Sequence, residues 1–237
     1  MALSKRQKHN TALLEKRKPY YDLKEAVELL KKGAPVKFDA SIDLQLKLNA
    51  DANATDQMVR GTTLLPHGNG RKVRVIVLSK DEGGKAALEA GADEVGGPEI
   101  VEKILKGWLD FDAVVASPSM MRDIAKLGKI LGPRGLMPSP KAGTVTDNLA
   151  QAVKEIKQGR IEFKMDKQSN MHCQIGKLSF DSAKLADNAK ALLEAVAKAR
   201  PKDVKGDLIR SACLSSTMGP GLKLDPQLYK QQEQVSE

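Results

Sequence analysis

Two kinds of strand grammar occur in this chain, and they demand two different sheets. Residues 41–48 read SIDLQLKL, with Ile42, Leu44, Leu46 and Leu48 alternating with Ser41, Asp43, Gln45 and Lys47. That alternation buries one face and wets the other, as in an antiparallel sheet. Residues 73–79 (VRVIVLS) and 111–116 (FDAVVA) are instead apolar on both faces. They alternate with helical patterns near 83–90, 98–107, 120–131 and 147–158, which predicts a parallel α/β sheet of Rossmann-like type, covered on both sides.

Beyond Gly159 the first grammar returns. RIEFKM (160–165) and MHCQIGKL (171–178) read as a hairpin pair, 182–199 as a strong helix with Ser182 as N-cap, and 207–218 as a last strand. Near the start, 20–32 places Leu23, Ala26, Val27 and Leu30 at helical spacing, stopped by Gly33. The two ends share one style and the middle has another. The expected fold class is therefore α/β with two domains: a discontinuous α+β sandwich with an antiparallel sheet (1–67 plus 160–228) and an inserted Rossmann-like domain (68–159). Residues 229–237 read as a disordered tail. Gly68, Gly70 and Gly159 fall at the two crossings, either as hinge points or as ordinary turn glycines.

Charge points to a polyanion. The chain has 39 Lys and Arg against 30 Asp and Glu, a formal +9. The first 18 residues concentrate it, with Lys5, Arg6, Lys8, Lys16, Arg17 and Lys18 against Glu15. Such an arm either lies along phosphates or is a solvated tail. No apolar run approaches the ~18 residues that span a bilayer. Met1 to Arg6 lead into polar sequence and not into a secretory core, so a cytoplasmic protein without membrane contact is expected.

Catalytic vocabulary is thin. His9, His67 and His172 are scattered, and the neighbours His172 and Cys173 point to opposite faces of a strand. Cys173 and Cys213 form no CxxC pair. The turn after the first both-face strand, SKDEGGKAALEAG, lacks G-x-G-x-x-G, and no Walker pattern occurs. No cofactor, metal or enzymatic activity is expected.

Two loops are too specialised for connectors. LGPRGLMPSPKAGTV (131–145) presents Arg134 and Lys141 on a Gly/Pro-restrained path. SSTMGPG (215–221) offers hydroxyls at Ser215, Ser216 and Thr217, a soft exposed Met218 and close-approach glycines.

With KFDASIDLQLKLNAD (37–51), these two loops resemble the signatures of the bacterial large-subunit ribosomal protein L1 family, and the likeness extends over roughly residues 3–228. The resemblance implies an rRNA surface of Lys37, Phe38, Ser41, Asp43, Asp166, Lys167, Ser211, Thr217, Met218 and Gly219. Lys5, Arg6 and Lys8 would be auxiliary, and Arg134 and Lys141 would form a tRNA-side loop. The family commonly carries Thr and Glu where this chain has Ser41 and Asp43, so the hydroxyl is kept without the Thr methyl and the carboxylate is kept on a stem one methylene shorter. The implied partners are large-subunit rRNA, exit-site tRNA and the protein's own operon mRNA, bound by a chain that is monomeric when free of the ribosome. The resemblance also implies a mobile stalk that assists release of deacylated tRNA. A free RNA chaperone and a nucleotide-binding enzyme are the alternatives.

Overall fold

The computed structural model describes residues 4–14, 18–33, 36–52, 54–79, 83–201, 203–204 and 206–227. The chain divides into two compact units, residues 1–70 with 161–237 and residues 71–160. Both are mixed α/β, one around an antiparallel sheet and the other around a parallel one.

In the first unit the chain begins with helix α1 (Lys5–Leu13) and helix α2 (Leu23–Gly33), then enters strand β1 (Ser41–Leu48). The alternation of β1 is realised residue by residue: Ile42, Leu44, Leu46 and Leu48 are buried and the residues between them are half-exposed. β2 (Arg60–Leu64) follows. After the second unit come β6 (Arg160–Lys164), β7 (Asn170–Lys177), α8 (Ser182–Lys198), β8 (Ile209–Ser216) and β9 (Gly221–Lys223). The main sheet runs β7-β1-β8-β9, antiparallel throughout. Leu23, Ala26, Val27 and Leu30 of α2, with Leu185, Ala189, Leu192, Leu193 and Val196 of α8, close over its apolar face. About 25 cal/mol per Å² of apolar surface removed from water holds these layers together.

The second unit contains β3 (Val75–Leu78), α3 (Gly83–Glu89), β4 (Glu94–Gly96), α4 (Pro98–Leu105), β5 (Ala113–Ala116), α5 (Met121–Ala125), α6 (Gly128–Leu131) and α7 (Leu149–Gln158). Its parallel sheet runs β4-β3-β5. All four residues of β3 are buried. Ile76 and Leu78 pack with Ile100, Val101 and Ile104 of α4 on one side. Val75 and Val77 pack with Ala87 of α3 and Val153 and Ile156 of α7 on the other. Among the described residues no helix is long and apolar enough to cross a membrane.

Four expectations are corrected. β6 and β7 are not a hairpin pair, since β6 pairs with β2 and β7 with β1; an apolar pattern says that a residue lies in a strand but not which strand it will meet. Asp181, not Ser182, stands at the N-cap of α8. The strand at 207–218 is not the last, because β9 follows it. The helix expected at 120–131 is broken in two at Lys126 and Leu127. The basic arm is in part a helix, opened by reciprocal bonds between Ser4 and Gln7: the Gln7 backbone N–H donates to Ser4 Oγ (3.2 Å) and the Ser4 N–H to Gln7 Oε1 (2.9 Å). Lys16, Arg17, the side chain of Lys5 and the tail 229–237 lie outside the described residues.

At the first crossing the chain is held, not loose. Asn188 of α8 is fully buried; its Oδ1 accepts the His67 N–H at 3.1 Å, and its Nδ2 donates to the carbonyls of Gly68 and Ile175, both at 2.8 Å. Gly70, at φ +70°, lies so close beneath Lys177 and Phe180 that a Cβ would stand 2.8 Å from Lys177 Cγ. At the second crossing Gly159, with φ +106°, is the left-handed cap of α7.

Candidate nucleic-acid interface

Covering one face of the main sheet with helices leaves the other face polar. Along β1 this open face presents Ser41, Asp43, Gln45 and Lys47. Cross-strand register sets Gln174 and Ser215 either side of Asp43, His172 and Cys213 either side of Gln45, and Asn170 and Ser211 either side of Lys47. Directly opposite residues share a face, so both ends of β1 belong to one continuous surface. The residues expected from sequence collect at those two ends.

At the first end, the backbone N–H of Ser41 donates to Thr217 Oγ1 at 3.0 Å, and that hydroxyl donates in turn to the Ser41 carbonyl at 3.3 Å. The Thr217 N–H reaches the same carbonyl at 3.0 Å. Thr217 therefore staples the loop after β8 to the start of β1, and its hydroxyl proton is already committed. Lys177 Nζ donates to Ser41 Oγ at 3.2 Å. Asp39 accepts from both the N–H (3.1 Å) and the hydroxyl (2.8 Å) of Ser179, which fixes the approach through Lys37 and Phe38. Phe38 is 53% exposed and Met218 46%, large apolar side chains left in water by a chain with few aromatics. Gly219 follows from packing: a Cβ there would stand 2.1 Å from Ser216 Oγ, a buried hydroxyl with no hydrogen-bond partner among the described residues.

At the other end, Asp166 organises a turn. Its Oδ1 accepts the N–H groups of Gln168 (2.8 Å) and Asn170 (2.7 Å), which hold its carboxyl below the usual aspartate value, the Asn170 bond most strongly. Ser169, the one described non-glycine at positive φ, donates through Oγ to the Ala50 carbonyl at 2.7 Å. Lys47 Nζ donates to the Gln168 carbonyl, so the turn carrying the exposed Lys167 is tied to the end of β1. Ser211, opposite Lys47, is exposed. Burial pushes the Asp43 carboxyl up, opposed by His172 and Lys177 nearby.

In the second unit, Arg134 and Lys141 are both exposed on the loop after α6. The loop is closed by Thr144, whose Oγ1 accepts the Ser139 N–H at 2.8 Å and donates to the Ser139 carbonyl at 3.2 Å. Neither cation shares a salt bridge with a described residue. Arg6 and Lys8 lie on α1.

The model of the ribosomal protein L1p/L10e family matches residues 30–220. The chain belongs to that family. Among its relatives, the large ribosomal subunit protein uL1 of Protochlamydia amoebophila (strain UWE25) is 53% identical over 205 residues, 86% of this chain and 87% of its own length. The protein of the same name from Thermosipho africanus (strain TCF52B) is 50% identical over 224 residues, 94% of this chain and 96% of its own.

Family membership gives the open face its interest, and it also shows what sequence reasoning passed over. Gln45, His172, Gln174 and Ser215 occupy the middle of that face, between the two clusters. Ser215 and Gln45 fall within the distinctive runs 215–221 and 37–51, but no motif marks His172 or Gln174; for those two the period-two alternation of β1, extended to its neighbours, was the available signal. Chemically, the face offers amides, hydroxyls, an imidazole and lysines. Among the described residues no group of three or more His, Cys, Asp or Glu could hold a metal.

Proposed function

We propose that this protein is a structural constituent of the large ribosomal subunit that binds large-subunit rRNA directly through the open face of its first unit. The observation that carries the reading is that Ser41, Asp43 and Ser211 share one polar sheet face, with the turn after Asp166 tied to one end of β1 through Lys47 and the loop of Thr217 tied to the other through Ser41, in a member of this family. Lys37, Lys167 and Lys177 neutralise phosphate. The Ser41 and Ser211 hydroxyls meet ribose hydroxyls, which is how a protein tells RNA from DNA. Phe38 packs on a ribose or base, and Met218 fills the shallow groove beside it. Asp43 accepts from a 2′-OH or an exocyclic amine. Asp166 acts by holding Lys167 in place, and Thr217 by holding the 217–219 loop on β1. Lys5, Arg6 and Lys8 add sequence-independent attraction.

The same reading gives the second unit a different partner. Arg134 and Lys141, on a loop closed by its own hydrogen bonds, touch exit-site tRNA and assist its release, and the protein also represses its own operon mRNA by binding a copy of the rRNA fold. The protein acts without a catalytic step. In support, burial pushes the Cys173 thiol up to about 12, far from a usable nucleophile, and the three histidines lie in separate places. Co-sedimentation of tagged protein with large subunits, followed by binding to deproteinised large-subunit rRNA against competitor RNA at moderate salt, tests the assignment. A free chaperone would bind every RNA alike and leave the subunits during sedimentation.

A further inference from the structure

We infer that RNA contact runs across the middle of the open face, with Gln45 and His172 as specificity-determining residues for a folded RNA. The inference rests on the rRNA reading above and adds side chains that it did not use. Ser41 and Lys47 are six positions apart on one strand, about 20 Å at ~3.3 Å per residue. A folded RNA that engages both ends has to pass over what lies between.

What lies between is suited to reading RNA and not merely to attracting it. The central row is His172, Gln45, Cys213 and Lys223, directly opposite one another on β7, β1, β8 and β9. Gln45 Nε2 donates to Ser215 Oγ at 2.7 Å, which fixes the amide plane and leaves Oε1 and the second N–H for an incoming group. His172 is exposed, and its ring makes no hydrogen bond with a described residue. Lys47, Lys177 and Lys223 on the same face outnumber Asp43, so the field favours an anion. Phosphates alone would be served by lysines. A row of amide and imidazole flanked by them fits base edges and 2′-OH groups, where a fixed donor and acceptor discriminate. Gln174 is not counted among the readers, since its Nε2 donates to the Asn69 carbonyl at 3.4 Å and so helps to position the crossing.

The chain carries its own reporter. Of its two cysteines, Cys173 is buried, while Cys213 is partly exposed in the central row, its thiol also raised by burial but less enclosed. With full-length protein saturated with deproteinised large-subunit rRNA, alkylation of Cys213 by N-ethylmaleimide should slow at least roughly tenfold relative to free protein. The double variant Gln45→Ala, His172→Ala should lose about tenfold in preference for that rRNA over poly(U), the scale of two lost hydrogen bonds. Its urea midpoint and its Cys213 alkylation rate without RNA check that the sheet is intact. An unaltered Cys213 rate in the saturated complex, or a folded double variant with full preference, overturns the inference and leaves the two ends as separate contacts. Wild-type protein without preference for rRNA over poly(U) instead brings down the rRNA reading, and this inference with it.

Discussion

The two sheets of this protein are built from similar aliphatic residues but differ in what covers them. In the first unit two helices cover one face and the other stays polar; in the second, helices cover both, so every residue of β3 is consumed by the core. A half-covered sheet has side chains at fixed ~7 Å intervals along each strand to spend on a ligand. A fully covered one has none, and whatever it contacts must be met by loops such as 131–145.

The sharpest way to break this contrast is to measure stability along one strand of each kind. In β1, Leu44→Ala and Leu46→Ala should each cost ~2–5 kcal/mol, while Gln45→Ala should stay within ~0.5 kcal/mol. In β3, Ile76→Ala and Val77→Ala should both be costly, ~2–5 and roughly 1–3 kcal/mol, because neighbours of either parity are buried. Urea denaturation of the full chain reads the pattern, and a neutral Val77→Ala would mean that the second sheet is not filled on both sides.

A smaller effect is expected from Thr217→Val. It should weaken rRNA binding by ~1–3 kcal/mol and also lower stability by about 0.5–1.5 kcal/mol, because the hydroxyl bonds Ser41 on both its donor and acceptor sides. From sequence alone Thr217 read as a hydroxyl available to the RNA, with no sign of its bonds to Ser41. Titration calorimetry with a urea melt separates the two roles.

Acid probes the turn at the far end. The folded Asp166 carboxyl titrates below its reference value of 3.8, so its stabilisation is complete above the unfolded value and is lost as pH falls through the lower folded one. Asp166→Asn should therefore narrow the stability difference between pH 7 and pH 3 in thermal melts. An identical difference in both proteins would remove Asp166 as the turn's organiser.

The smallest change is expected where the second unit is altered. Arg134→Ala with Lys141→Ala should leave affinity for isolated rRNA within ~0.5 kcal/mol while changing tRNA departure from reconstituted ribosomes. Loss of rRNA affinity in filter binding would move this loop into the first interface.

The sequence disclosed the two grammars because burial writes itself as periodicity: β1 was legible to its end residues, and β3 was placed to within two. It did not disclose β2, whose RGTTL has no apolar alternation, or β4, whose three residues are too few to show any. Pairing was the larger loss, since β6 and β7 lie side by side in sequence yet bond to different partners. In the candidate site, Phe38, Thr217 and Met218 stood out within distinctive runs, whereas Gln45, in the same run as Phe38, showed only its face, and His172 acquires meaning only through register. The roles of Asp166 and Thr217 were hidden for a related reason: both spend hydrogen-bonding capacity on the backbone, which a residue name does not reveal.

The buried amide of Asn188 has a mechanical consequence. Just before residue 71 the peptide of residues 67–68 is tied through one buried amide to a helix, and the same amide holds the Ile175 carbonyl of the edge strand β7, so a pull on this stretch of chain would first have to break hydrogen bonds shielded from water. Asn188→Ala would leave the covalent connection unchanged but free the His67 N–H and two carbonyls that it now satisfies.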